Sequence, residues 1–239
     1  MPRVKRTLPG FDLASALSGA QVDRALPIGP QVYDVLRRLI VLSRLPSGAP
    51  LHEADIAAAL GISRTPVRTA FQQLALEGLV NTWPQVGSVV AAVDRAKIEE
   101  GLIIRRALEG EVVRLLCAGA PDWTRLDALM AAQAAAVGAN DADAFFAADE
   151  AFHAALADMA GVPQAWRLLQ AVKAHIDRVR LLVTRRQPDR FHAAFAEHQA
   201  VLDAVRRRNP EEAAARMAHH VEAVRGSLHL LGDVATACP

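Results

Sequence analysis

Apolar residues in the first third of the chain return at intervals of three and four. Val32, Val35, Leu36, Leu39, Ile40 and Leu42 make one face of a helix predicted from about Gln31 to Arg44. The run LHEADIAAAL, Leu51 to Leu60, predicts a second, shorter helix that stops at Gly61. Gly61 can take the positive φ that a tight helix-to-helix turn needs. Ser63 then stands at an N-cap, its hydroxyl available to a first-turn N–H, and a third helix runs from Arg64 to Leu76 or Glu77, with Gly78 as its stop. The period then changes. Leu79–Trp83 and Ser88–Val93 are β-prone runs around Pro84-Gln85-Val86-Gly87, which predicts a small hairpin. From Asp94 onward there is no β-rich run. Caps and stops mark about six helices: Asp94 to Ala118, Asp122 to Val137, Asn140 or Asp141 to Ala160, Pro163 to Thr184, Pro188 to Arg208, and Asn209-Pro210 to Leu231 with Gly226 a weak point. Short connections between them predict antiparallel neighbours and hence a bundle.

The expected organisation is therefore mainly α, in four parts. Residues 1–29 carry Pro2, Pro9, Gly10, Gly19, Pro27 and Gly29 and no long periodic stretch, which reads as a mobile arm with at most one short helix. Residues 30–93 form a winged helix-turn-helix. Residues 94–231 form the all-α bundle, and 232–239 a tail. No apolar run reaches the ~20 residues that a membrane span requires, and no apolar segment follows the basic Met1–Arg6, so neither membrane nor secretory signal is expected. Cys117 and Cys238 are the only cysteines. That usage suits a reducing cytoplasm, with Cys117 as a core residue.

Two helices, a glycine turn and a second helix led by Arg64, Thr65 and Arg68 describe a DNA reader. Such a helix presents its N-terminal residues to base edges in the major groove, where arginine grips guanine with two parallel bonds. A hairpin behind it is a wing, with Gly87 at the tip, where missing side-chain bulk lets backbone approach phosphate. Charge agrees in sign. Up to Ala92 there are nine Lys and Arg against six Asp and Glu; beyond it, eighteen against twenty. A weakly basic head is more effective as half of a dimer, where the fields add.

The bundle holds a second candidate chemistry. Asp149 and His153 are spaced i, i+4 and project from one helical face. His198 lies on the fifth segment and His220 on the sixth. Three imidazoles and a carboxylate could converge on one divalent ion; on spacing alone they could equally be separate polar groups. A nitrogen-rich set favours zinc or nickel, with iron or manganese admissible.

Residues Gln31 to Val93, through LHEADIAAALGISRTPVRTAFQQLALEGLV and PQVGSVV, closely resemble the winged-helix domain of the GntR family of bacterial transcription regulators. The resemblance implies that Ser63, Arg64, Thr65, Arg68 and Gly87 lie at the DNA. Some relatives carry a further DNA-contacting arginine where this chain has Ala54, so their base preference does not transfer. The remainder, from about Ala96 to Leu230, resembles the FCD ligand-binding domain of the FadR branch. Its markers are Ile104-Arg105-Arg106-Ala107-Leu108-Glu109, Asp149-Glu150-Ala151-Phe152-His153, Glu197-His198 and Met217-Ala218-His219-His220. By position this implies Asp149, His153, His198 and His220 as metal ligands and Arg105 as the arginine facing an effector. His219 becomes an exposed neighbour of His220. Arg106 reads as a surface residue paired most simply with Glu109. Glu150 is a competing ligand by adjacency, and His175 and His192 are solvated or outer groups.

The function so implied is a regulator, in the family's commoner manner a repressor. It would work as a homodimer on double-stranded operator DNA, controlled by a small carboxylate effector at a metal site. Four protein groups on an octahedral ion would leave two positions for effector oxygens. Sugar acids, hydroxyacids and dicarboxylates are the family's common effectors. The alternatives are a sensor of the metal ion alone and a metalloenzyme with an appended DNA-binding head. Against the enzyme, no general base is left free once the four ligands are assigned, Glu150 and Glu197 being candidates only by adjacency.

Overall fold

The computed structural model describes residues 8–83, 87–187 and 189–231. They fall into two compact units, divided between Asp94 and Arg95. The first begins with a one-turn helix, α1 (Leu13–Ala16), capped by Asp12, whose carboxylate accepts from the N–H groups of Ala14 and Ser15. Three longer helices follow: α2 (Ile28–Val41), α3 (Glu53–Leu60) and α4 (Arg64–Leu76). Val32, Leu36 and Ile40 of α2, Ile56 of α3, and Val67, Phe71 and Leu74 of α4 are buried, which is why three amphipathic segments close into one core. Tyr33 on α2 ties this core to the end of α4 by a 2.5 Å hydrogen bond to Glu77.

Gly61 ends α3 in the left-handed region (φ 63°, ψ 36°), and its N–H bonds back to the carbonyls of Ala57 and Ala58. A side chain there would be strained, so the glycine sets the sharp turn into α4. From Arg24, upstream of α2, Nη2 donates to the Gly61 carbonyl at 2.9 Å. Arg3, Lys5 and Arg6 of the expected arm lie outside the described residues.

Several boundaries differ from the sequence expectation. The first long helix starts at Ile28 and stops at Val41, since Ser43 turns out at φ 56°. The second starts at Glu53 because His52 is extended and Pro50–Leu51 form a strand, β1. With β2 (Val80–Trp83) and β3 (Gly87–Val90), β1 makes a three-stranded antiparallel sheet of order β1-β3-β2, where a two-stranded hairpin was expected. Two residues are too few to show alternation, so β1 left no periodic signal. Pro84 to Val86 lie outside the described residues.

The second unit is helical: α5 (Arg95–Ala118), α6 (Trp123–Gly138), α7 (Ala142–Met159), α8 (Pro163–Val172), α9 (Ala174–Arg186), α10 (Asp189–Arg206) and α11 (Pro210–Glu222). A 3₁₀ helix, Ala223–Leu231, ends the described chain. Helix α11 packs along α5 and α10, and α6 packs on α7. Asp122, Asp141 and Asn209 cap α6, α7 and α11 through their side chains, as their sequence positions suggest.

Among the described residues this unit has seven α-helices, where six were expected. The segment from Pro163 to Thr184 is broken at Lys173, whose side chain is fully buried. Its ammonium bonds Glu150 of α7 at 2.6 and 2.8 Å and Asp177 at 2.5 Å. Neither glycine nor proline marks the break, so it left no local sign in the sequence. The last helix also ends early: α11 gives way to the 3₁₀ helix at Ala223, and Gly226 falls inside it. Among the described residues no helix is long and apolar enough to cross a membrane.

Candidate functional site

Helix α4 buries Val67, Ala70 and Phe71 and turns its other side out. Ser63, Arg64, Thr65 and Arg68 are all exposed on its leading turns. Ser63 occupies the N-cap with extended backbone, but its hydroxyl makes no capping bond, contrary to expectation. Arg68 is held in a fork: Nε donates to Glu53 Oε1 at 3.2 Å and Nη2 to Oε2 at 3.0 Å. Glu53 opens α3, so this pair spans the two helices of the turn. Gly87 begins β3 at φ 121°, a conformation that suits glycine.

In the second unit the four residues singled out from sequence come together. Asp149 and His153 on α7, His198 on α10 and His220 on α11 each offer one ligand atom, all within 4.8 Å of one another and all buried. His198 Nε2 lies 3.2 Å from His220 Nε2 and 3.5 Å from Asp149 Oδ1. His153 Nε2 lies 3.9 Å from the same oxygen.

His198 and His220 are oriented from behind by hydrogen bonds, and His153 has a carboxylate close behind it without hydrogen-bond geometry. His153 Nδ1 is 2.6 Å from Glu109 of α5, His198 Nδ1 is 2.8 Å from Gln133 of α6, and His220 Nδ1 is 2.8 Å from Glu197 of α10. Outer partners of this kind fix ring orientation and tautomer, and leave Nε2 for a metal. Glu197 is itself gripped by Arg190 through two 2.8 Å bonds.

Electrostatics point the same way. Burial pushes the Asp149 carboxyl up, but Arg180, His153 and His198 outweigh it and hold the group well below the carboxylate range. Burial, reinforced by His220, keeps the His198 imidazole well below its usual value; burial brings His220 down to about 4 against its bond to Glu197. At neutral pH the cluster therefore offers an ionised carboxylate and at least two neutral imidazoles, the forms that ligate. Asp149 Oδ2 and His153 Nε2 are buried with no hydrogen-bond partner. Buried polar atoms left without a partner are costly unless something binds them. A divalent ion of the zinc or nickel kind fits this donor set.

The neighbours resolve several sequence ambiguities. Arg105 is buried, and its Nε donates to Glu109 Oε1 at 2.6 Å. Arg106 is exposed and lies 3.6 Å from Glu222, so the expected Arg106–Glu109 pair does not form; the i, i+4 partner Arg105 takes the carboxylate instead. Glu150 is turned to Lys173 and away from competition as a ligand. His219 is exposed. His192 is exposed and stacks on Phe191 at 5.2 Å, whereas His175 is buried, which excludes the solvated reading for it. Cys117 is buried; Cys238 lies outside the described residues.

Sequence reasoning missed Arg180. It sits on α9, and Nη2 donates to Asp149 Oδ1 at 2.5 Å. Its Nη1 stands 3.9 Å from Glu150 and 3.8 Å from Asp177. Arg105, Arg180 and His220 also line a small pocket with a cavity volume of about 30 Å³. Nothing in the spacing flags Arg180. Glu197 was flagged only by its place beside His198.

Residues 29–90 match the family model described as bacterial regulatory proteins, gntR family, and residues 100–223 match the FCD domain. The HTH-type transcriptional repressor RspR of Escherichia coli is 30% identical over 211 residues, covering 87% of this chain and 92% of that protein. A probable D-xylose utilization operon transcriptional repressor of Paenarthrobacter nicotinovorans is 32% identical over 215 residues, covering 88% and 93%. Among solved structures, a putative GntR transcriptional regulator from Rhodococcus sp. RHA1 superposes with a TM-score of 0.69 at 26% identity, covering 86% of this chain and 98% of that one.

Proposed function

This chain belongs to the GntR family of bacterial transcription regulators and joins an FCD domain to its DNA-binding head, and from that premise we propose that it is an effector-controlled repressor. A regulator, and not an enzyme, is what the family provides. Repression is taken from relatives such as RspR, whose name carries it. The protein works in the cytoplasm as a homodimer on an operator with two half-sites.

The observation that carries the control mechanism is the orientation of His153, His198 and His220. His198 and His220 are fixed through Nδ1 by Gln133 and Glu197, His153 Nδ1 stands 2.6 Å from Glu109, and the cluster shares Asp149. These four residues hold a divalent metal ion, zinc or nickel before manganese or iron. When bound, the ion supplies a Lewis-acidic anchor for one carboxylate of a small organic acid. Arg105 takes a further oxygen: Nη2 is buried and unpartnered, and a guanidinium suits a carboxylate. Arg180 keeps Asp149 ionised and aimed.

Helix α5 carries Arg105 and Glu109 and is separated from the end of β3 by four residues, so one continuous stretch of chain runs from the pocket to the head. Effector binding is regulatory only if it favours one arrangement of the dimer over another. At the head, Arg64, Thr65 and Arg68 read bases, and Ser63 and Gly87 lie against the backbone of the duplex.

The test is fluorescence anisotropy with an operator selected from genomic fragments. Arg64→Ala or Arg68→Ala is expected to cost about 1–3 kcal/mol of specific binding. Wild-type affinity in both variants refutes the assignment of α4 as the reader.

A further inference from the structure

We infer that Arg24, on the connection before α2, is a further DNA-contacting residue: an exposed guanidinium set beside the turn between α3 and α4, where it meets a phosphate of the operator. The inference rests on the reading of α4 as the DNA reader, and it adds a contact from outside the helices of the motif.

The connection from Asp23 to Pro27 is tied down. Gln31 of α2 donates from Nε2 to the carbonyls of Asp23 at 2.9 Å and Pro27 at 3.1 Å, and its Oε1 accepts from the Asp23 N–H at 2.7 Å. The Asp23 carboxylate accepts from the Ala25 N–H at 2.8 Å. With its backbone so held, Arg24 crosses 37 positions of sequence to donate from Nη2 to the Gly61 carbonyl at 2.9 Å. Gly61 presents no side chain to it; a Cβ there would stand 3.4 Å from Nη2.

The bond to Gly61 orients the guanidinium and leaves its charge uncompensated. A carbonyl is a neutral acceptor, and among the described residues Arg24 forms no ion pair. Two other arginines of the head are paired, Arg37 with Glu77 and Arg68 with Glu53. Arg24 is exposed, and most of its donors remain open to solvent. A cation anchored in one place has given up side-chain freedom before any ligand arrives, which favours binding there.

Its place identifies the ligand. Gly61 precedes Arg64 by three residues, and the leading turns of α4 are the part that enters the groove. A major groove about 12 Å wide is flanked by two phosphate strands. A cation beside the turn, carried on a segment outside the reading helix, meets that backbone and not the base edges. Contacts of that kind position a protein and add affinity without reading sequence.

The test is fluorescence anisotropy of the full chain, over about 50–200 mM salt, on an operator selected from genomic fragments and on a scrambled duplex of equal length. Arg24→Ala is expected to weaken both duplexes by similar factors, about three-fold or more, and to lower the slope of log affinity against log salt by about 0.9 for each protomer bound. Arg24→Lys is expected to restore the slope, because the phosphate requires the charge. Arg44 is exposed beyond the opposite end of α2, about 20 Å along that helix, and Arg44→Ala is expected to leave the slope unchanged. A wild-type slope in Arg24→Ala overturns the inference whatever the affinity, since losing a merely structural bond to Gly61 does not change the number of phosphates neutralised. A loss confined to the operator, or an equal fall of slope in Arg44→Ala, overturns it as well. Arg64→Ala in the same titrations separates the two readings. If it alone loses operator binding, α4 stands as the reader without Arg24; if neither variant loses binding, both readings fall.

Discussion

Gly101 and Gly110 both lie in α5, and adding one methyl at each should have opposite effects. A Cβ at Gly101 would stand 2.8 Å from the carbonyl oxygen of Val172 and 2.9 Å from Cδ1 of Ile176. Real Cβ atoms do not approach so closely, and one neighbour is backbone beside the Lys173 break, where it cannot swing aside. Overpacking of this kind costs about 1–3 kcal/mol. Helix propensity returns about 0.5–1 kcal/mol on replacing glycine by alanine. The net for Gly101→Ala is a loss of roughly 1–2 kcal/mol, or a melting temperature lower by about 3–6 °C in a chain of this size. At Gly110 the added Cβ meets only the tip of Arg114, at 3.9 Å. Only the propensity gain remains there, so Gly110→Ala should raise the melting temperature by about 2–3 °C. Thermal unfolding of the two full-length variants, followed by circular dichroism, decides the matter. If Gly101→Ala melts at or above the wild type, the close packing of α5 on the α8–α9 break is refuted.

Other consequences concern the buried charges. Lys173→Met strands the carboxylates of Asp177 and Glu150; removing one partner of a buried pair typically costs about 3–5 kcal/mol, which urea titration would show, and a loss under ~1 kcal/mol would contradict the bridge. Glu197→Gln loses the charged partner of His220 Nδ1, so zinc affinity in a competitive chelator titration should fall about 10–100-fold while the chain stays folded. Unchanged zinc affinity in that variant would deny Glu197 its orienting role.

Much of this architecture was legible because its signals are local. Gly61 needs positive φ, Asp122, Asp141 and Asn209 cap helices, and Pro163 begins one. Asp149 and His153 were readable as a pair because i, i+4 spacing guarantees a shared face. That His198 and His220 come to the same point depends on how α10 and α11 pack, and only the family resemblance supplied it. Features made by tertiary contact stayed hidden. The break between α8 and α9 falls at Lys173, whose ammonium is held by Glu150 and Asp177. Arg180 reaches Asp149 from a helix 31 positions away. Arg105, not Arg106, holds Glu109, since a helix brings i and i+4 together and buries that face. β1 is two residues long and exists because β3 offers it an edge.

The most direct measurement couples the two units. Operator anisotropy should be recorded for zinc-saturated wild type and His198→Ala, each with and without the carboxylate that binds the wild type best. The acid should weaken operator binding at least five-fold in the wild type, a coupling of about 1 kcal/mol, and leave the variant unmoved. An equal response in both proteins, or none in the wild type, would contradict control through this cluster.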